Sequence, residues 1–516
     1  MKKSISRIFV LLTVGLYIST FTAFAQAPAI QWQKCYGGSN ADFAKSIEIT
    51  SDDGYIIAGY SWGEVEEPNH GLIDFLVVKI NSTGNLMWKK YYGGSNTDRA
   101  HAIRQTTDGG YIVAGYTRSN DGDVSGLHGT LDDFWIVKLD DTGAIQWQKC
   151  LGGTLQEEAN DIQQTADGGY IVVGKAHSSN GDVSGMKGLG DMWIVKLNNT
   201  GNIQWQKCLG GSSLDIANAV QQTTDSGYII AGYTYSNDGD VTGPVGFFDG
   251  WIVKLSSIGA IQWQKRLGGA HADILSSIKQ TSNGGYIAAG VQQNHSGVNP
   301  RVWVVRLNNV GNLQWQKTYG GSSGDAAYSI QQTNDGGFSL LGASTSIDGD
   351  VSGHHGAYGV ADYWLVRLDS SGNLKWEKSL GGTGDDDGQS VKITPDGGFI
   401  LAGSTMSIDG DVTGKAGNSD FWVVKLALDP LAVSGISLSK EEFKIYPNPA
   451  TNELHIKLSE GRFSQVSISD VSGKVLFTTT LNGVSHMINT SVFPIGLYFI
   501  RVQTENEVMI RKFVKE

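Results

Sequence analysis

A tryptophan returns seven times at nearly even spacing. Trp32, Trp88, Trp147, Trp205, Trp263, Trp315 and Trp376 lie 56, 59, 58, 58, 52 and 61 residues apart. Each stands in a segment like IQWQKCLGG (145–153). Seven copies of one short unit cannot each close a core alone. The chain must fold as an array or a ring in which each copy covers its neighbour.

One unit contains four short β-prone runs: AHAIRQT (100–106), GYIVAGY (110–116), FWIVKL (134–139) and AIQWQKCL (144–151). We name them strands a, b, c and d. Tight Gly-containing turns, TDGG (107–110) and DDTGA (140–144), join a to b and c to d. Strands b and c are nearly continuous apolar runs, as sheets covered on both faces require. Strand a carries small residues suited to a crowded inner position, and strand d is polar apart from its Trp.

The array opens with a lone strand d, AIQWQKCY (29–36), and ends with a, b and c only, through FWVVKL (421–426). The two fragments make one unit. The sequence therefore predicts an all-β fold: a seven-bladed β-propeller over residues 26–427, closed by its N-terminal strand, with no open sheet edge. An open solenoid is the alternative, and it strands the lone first strand.

The N-terminus reads as a secretory signal over residues 1–25. Lys2, Lys3 and Arg7 precede the apolar run IFVLLTVGLYI (8–18), and Ala23-Phe24-Ala25 fits a cleavage site. No run is long enough for a transmembrane helix. The net charge is −12, and residues 26–439 hold 27 basic against 43 acidic side chains. Nucleic acid is an unsuitable partner, because phosphate neutralisation needs clustered Lys and Arg. Cys35, Cys150 and Cys208 occupy one repeat position on different blades, beyond disulfide reach, and are expected as free thiols.

Antiparallel strands place the a–b and c–d turns on one face and the longer b–c and d–a loops on the other. Function is expected on the second face. Each d–a loop carries an acid four residues after its second Gly: Asp42, Asp98, Glu157, Asp215, Asp273, Asp325 and Asp386. An Asp precedes strand c in six blades, at 74, 133, 191, 249, 362 and 420, and Arg301 stands there in blade five. Repetition in every blade favours a scaffold role, capping loop N–H groups.

Five b–c loops share [DN]-G-D-V-[ST]-G. The spacing matches positions 1, 3, 5 and 6 of an EF-hand calcium loop. The candidate ligands are Asp121, Asp123, Ser125 and Asp132; Asn180, Asp182, Ser184 and Asp191; and Asp238, Asp240, Thr242 and Asp249. Blade six adds Asp348, Asp350 and Ser352, with Gly359 at position 12. Blade seven adds Asp409, Asp411, Thr413 and Asp420. The other reading is an Asx-rich turn bound to backbone. Blades one and five lack the loop.

Further candidates are His354 and His355 with His128 and His177 as loop ligands, and Trp62 as an exposed aromatic contact. The other Trp side chains are expected in the blade core. The Gly-Gly pairs are turn glycines, since no Lys-Ser/Thr follows them to cradle a phosphate.

After Leu426 the repeat stops. Residues 428–440 read as a linker and 441–516 as a small β-sandwich, with strands at 453–458, 465–470, 474–480 and 496–502. YPNPATNELHI (446–456), ISDVSGKVL (468–476), INTSVFPIGLYFIRV (488–502) and RKFVKE (511–516) resemble the type A C-terminal sorting domain of the type IX secretion system in Bacteroidetes. The resemblance implies a cargo exported across the inner membrane by its signal peptide. It also implies recognition at the outer membrane by the type IX machinery, then release or surface attachment. The repeats, with TDGGYIVAG and WIVKL, resemble propeller repeats of secreted Bacteroidetes proteins, a resemblance that brings no activity.

These features lead to an exported, non-enzymatic propeller that binds a glycan or a protein. A secreted polysaccharide hydrolase or lyase and a structural surface-layer component are the alternatives. Calcium is the one cofactor expected.

Overall fold

The computed structural model describes residues 26–516 apart from 64–69, 244–245, 294–298, 432–442, 471–473 and 504–507. The expected signal, most of the expected linker and the middles of the blade-one and blade-five b–c loops lie outside the described residues. Among the described residues no helix is long and apolar enough to cross a membrane.

Seven four-stranded antiparallel sheets form the propeller. Six are continuous in sequence. The seventh joins Ile30–Tyr36 to the last three strands, with Tyr36 opposite Phe421 and Cys35 opposite Trp422. The predicted ring closure is present.

Strand c is buried along its whole length, as in Asp133–Leu139. Its tryptophans Trp135, Trp193, Trp251, Trp303, Trp364 and Trp422 are fully buried. An aromatic side chain of this size buries roughly 150–250 Å². At about 25 cal/mol per Å², each supplies several kcal/mol. The strand-d Trp of one blade lies on the c–d turn of the next. Trp88 covers Gly143, whose φ of 76° and lack of Cβ the contact requires, and meets Tyr111 edge-on at 6.0 Å. The strand-c Lys reaches back to the a–b turn: Lys138 Nζ lies 2.9 Å from Asp108 and Lys196 Nζ 2.9 Å from Asp167.

Cys35, Cys150 and Cys208 are free, as expected. Burial, with Asp420 nearby, pushes the Cys35 thiol up to about 12. These thiols act as small apolar groups.

Asp429 lies in the expected linker yet is 1 % exposed. It accepts from Arg367 Nε at 2.7 Å and Trp376 Nε1 at 3.1 Å, so the chain remains packed on the ring at this point. The tail is all β, with strands Phe443–Tyr446, Glu453–Asp470, Val475–Asn489, Gly496–Gln503 and Val508–Lys515. Two runs read separately in the sequence are one long strand, Glu453–Asp470. Leu454 and Ile456 from its first part and Val466 and Ile468 from its last share one core with Ile500 and Phe513. The sheet therefore folds over on itself.

Candidate functional site

The d–a acids hold the loops. Asp98 Oδ2 accepts from Gly94 N at 2.8 Å and Ser119 Oγ at 2.9 Å. Asp215, Asp325 and Asp386 repeat both contacts, and Glu157 accepts from Gly153 N and Ser178 N.

In the five b–c loops the residue at position 1 accepts from the backbone of the d–a loop of its own blade. Asp121, Asp238, Asp348 and Asp409 accept at 2.7 Å from Ser95, Ser212, Ser322 and Thr383, and Asn180 accepts at 3.0 Å from Thr154. At position 3, Asp123, Asp182, Asp240, Asp350 and Asp411 accept from Gly93, Gly152, Gly210, Gly320 and Gly381 at 3.1–3.4 Å. At position 5, Ser125, Ser184, Thr242 and Thr413 accept from strand-d Gln148, Gln206, Gln264 and Gln33, while Ser352 donates to Glu377.

Position 12 faces elsewhere. Asp191 lies beside Gly210 of the next blade's loop, whereas Asn180 lies beside Gly153 of its own. Asp132 pairs with Arg118 through two contacts of 2.9 Å, and Asp249 accepts from Arg266 Nε at 2.6 Å. Asp420 accepts from Ala416 N at 2.8 Å. Calcium needs six to eight oxygens aimed at one point. Here the oxygens at positions 1 and 3 are aimed at N–H groups and position 12 is turned away. Among the described residues no group of three or more His, Cys, Asp and Glu is placed to hold a metal ion.

The Asp before strand c packs against the first Gly of the following Gly-Gly pair, beside the next blade's d–a acid. A Cβ on Gly93 would run into both Asp74 and Asp98. Burial is the main cause that lifts Asp74 to about 7 and Asp133 and Asp191 to about 6. Histidines link successive blades across the same junctions. His128 reaches Asp133 at 2.8 Å and Asp182 of the next blade at 3.5 Å; His355 reaches Asp362 at 3.0 Å and Asp411 at 3.6 Å. His354 is no exposed ligand: its side chain is 3 % exposed, beside Asp362. His177 Nδ1 lies 2.7 Å from the Leu189 carbonyl. These four histidines serve their own loops and blade junctions.

Two sites break the sevenfold pattern. The first is the central channel. Every strand a carries a β-bulge at its fourth residue, between Ala44 and Ser46 in blade one and between Ala100 and Ala102 in blade two. A bulge re-aims a side chain, and the seven bulged residues are Lys45, His101, Asn160, Asn218, Ser276, Tyr328 and Gln389. All are polar, and all line a cavity of about 100 Å³ with Arg104, Asp161, Lys279 and Lys392. Burial, aided by Lys45, lowers His101 to about 4. The expectation that strand a is merely small missed this lining. Aligning the fourth residue of strand a across the repeats would have exposed it.

The second is an aromatic group on the b–c/d–a face of blade four. Tyr235 lies 4.6 Å from Phe248 and 5.8 Å from Phe247, and Tyr233 lies 5.6 Å from Phe248, centroid to centroid. Phe247 is 65 % exposed. Trp62, the aromatic singled out from sequence, is 50 % exposed on blade one.

Residues 444–516 match the family model of the secretion system C-terminal sorting domain. The chain carries a type IX sorting tail. The tail makes it a secreted or surface-attached cargo, and the type IX machinery is its partner in export. Among solved structures, a fungal alcohol oxidase of the AA5 family in complex with copper is similar at 12% identity and TM-score 0.40, covering 95% of this chain and 100% of that one. PorZ, a surface component of the type IX system of Porphyromonas gingivalis, is similar at 11% identity and TM-score 0.32, over 90% and 69% of the two chains. A puromycin hydrolase is similar at 10% identity and TM-score 0.44, over 81% and 59%. The comparison with curated proteins found no match.

Proposed function

We propose that this type IX cargo is a non-enzymatic binding module whose contact surface is the b–c/d–a face of the propeller, centred on blade four. The observation that carries the reading is the Phe247 group. Four aromatic rings meet one another in this one blade, and the outermost is 65 % exposed. An exposed ring held by neighbouring rings offers an apolar platform of low conformational entropy, suited to a sugar face or an apolar protein side chain. The loop carboxylates of the same blade, Asp238 and Asp240, are engaged by backbone N–H groups, which suits a scaffold better than acid–base chemistry.

A glycan and protein array probed with the mature chain tests this. Binding that Phe247→Ala and Tyr235→Ala each weaken at least tenfold, with the melting temperature unchanged, supports the platform. Turnover of a polysaccharide panel by the same preparation overturns the reading in favour of a hydrolase or lyase. Absence of any soluble ligand favours the surface-layer role.

A further inference from the structure

We propose that the central channel is an anion site, in which Lys279 holds a small oxyanion of the phosphate or sulfate class. The site is independent of the aromatic platform: Lys279 is the seventh residue of its strand a, toward the opposite mouth of the channel.

The charges in the channel do not balance locally. Arg104 donates to Asp161 at 2.6 Å, and its Nε lies 3.8 Å from Glu48. Lys392 reaches the same Glu48 at 2.7 Å. Both carboxylates are therefore taken up by two cations. Lys279 lines the same cavity and has no hydrogen bond or ion pair among the described residues. Arg104, Lys392, Asp161 and Glu48 act on it only through space.

An ammonium without a partner inside a narrow bore is costly, and a folded protein removes the cost with a counter-charge or by releasing the proton. Burial, reinforced by Lys392, lowers Lys279 only to about 8, so it is still charged at neutral pH. The cavity of about 100 Å³ beside it exceeds the roughly 10–15 Å³ that one water needs, and its lining is polar. Gln331 on the next blade lines the cavity and supplies a neutral donor. An oxyanion at this point meets an ammonium, an amide donor and the charge of Lys392. No repeat-wide motif explains the lysine: the same place in the other strands is Glu48, Arg104, Gln163, Gln221, Gln331 and Lys392.

Calorimetric titration of the mature chain with sodium sulfate and with sodium phosphate, in a chloride background, tests the proposal. One site is expected for each anion. Lys279→Met should weaken it at least tenfold, and Lys279→Arg should retain it. Sulfate does not titrate over this range, so its affinity should fall at least tenfold from about pH 7 to about pH 9.5 as Lys279 loses its proton. Lys279→Met should melt no lower than the parent, because it removes an unpaired charge from the bore. Absence of binding heat, sulfate affinity independent of pH, or equal binding by the folded Lys279→Met protein would each overturn the assignment.

Discussion

Trp422 donates its indole N–H to the side-chain carbonyl of Gln33, 2.7 Å away and 389 residues earlier in the chain. Five other strand-c tryptophans make the same bond one strand over, four to Gln148, Gln206, Gln264 and Gln316, and Trp364 to Glu377. Only at Gln33 does the bond join the two ends of the ring. Gln33→Ala leaves a buried N–H unsatisfied and should cost about 1–3 kcal/mol. Deleting residues 27–36 should do far more, because it bares the edge of Asp420–Leu426 and the apolar face beneath it. Urea unfolding measures the first, and light scattering of the purified protein the second. A truncated protein that stays monomeric with an unchanged midpoint would contradict the closure argument.

Removal of residues 441–516 should leave the propeller inside the outer membrane. The sorting family covers 444–516, and the tail has its own core, so its loss leaves the seven blades intact. Cell fractionation with an antibody against the propeller reads the outcome. Surface display of the truncated chain would refute a sorting role.

Stability should rise as pH falls from about 8 to about 5. Burial lifts Asp74 to about 7 and Asp133, Asp273 and Asp386 to about 6. The unfolded chain holds these groups near 3.9. Between the two values the folded state binds more protons, so the stabilisation is full below about pH 4 and lost as pH rises through 6–7. The opposite limb comes from the a–b turns. Burial alone would raise Asp52, Asp167 and Asp225, but Lys79, Lys196 and Lys254 with the turn hydroxyls hold them at about 2. Their contribution disappears as pH falls below 4 toward 2. A thermal melt series should peak near pH 4–5. A melting temperature that is flat or rising from pH 5 to pH 8 would exclude this account.

Chelation should leave the melting temperature unchanged. Asp121, Asp238 and Asp409 direct their oxygens at backbone N–H groups, and Asp191 lies at the far side of its blade from Asn180. Asp238→Ala should lower the melting temperature equally with and without chelator. A rise of several degrees on adding millimolar calcium would instead assign these loops to the metal.

The seven blades and their closure were legible because packing imposes the same answer at each copy. Trp135 and Trp193 are fully buried in equivalent places, and Gly143 and Gly201 both lie under a neighbour's indole. The loop aspartates were legible as residues but not as geometry. The spacing of Asp121, Asp123 and Asp132 is that of a calcium loop, while the partners that claim their oxygens, such as Ser95 and Arg118, come from outside it. The channel lining was hidden by the bulges. Ala100 and Ala102 alternate with His101 as an ordinary strand would, and nothing local in that alternation announces a shift of register. In the tail, the gap read between 458 and 465 is a register irregularity inside one strand, which hydrophobic alternation cannot distinguish from a turn.

The bulges separate two kinds of inheritance. Residues that pack the blades lie on strands b and c and on alternate positions of strand a, while the bulged residue of each blade faces the axis. Exchange at Lys45 or Ser276 therefore alters the chemistry of the bore, whereas Asn218 also holds the next blade through the Leu275 carbonyl at 2.9 Å. A ring of this plan can change the character of its bore one blade at a time, with the architecture held constant.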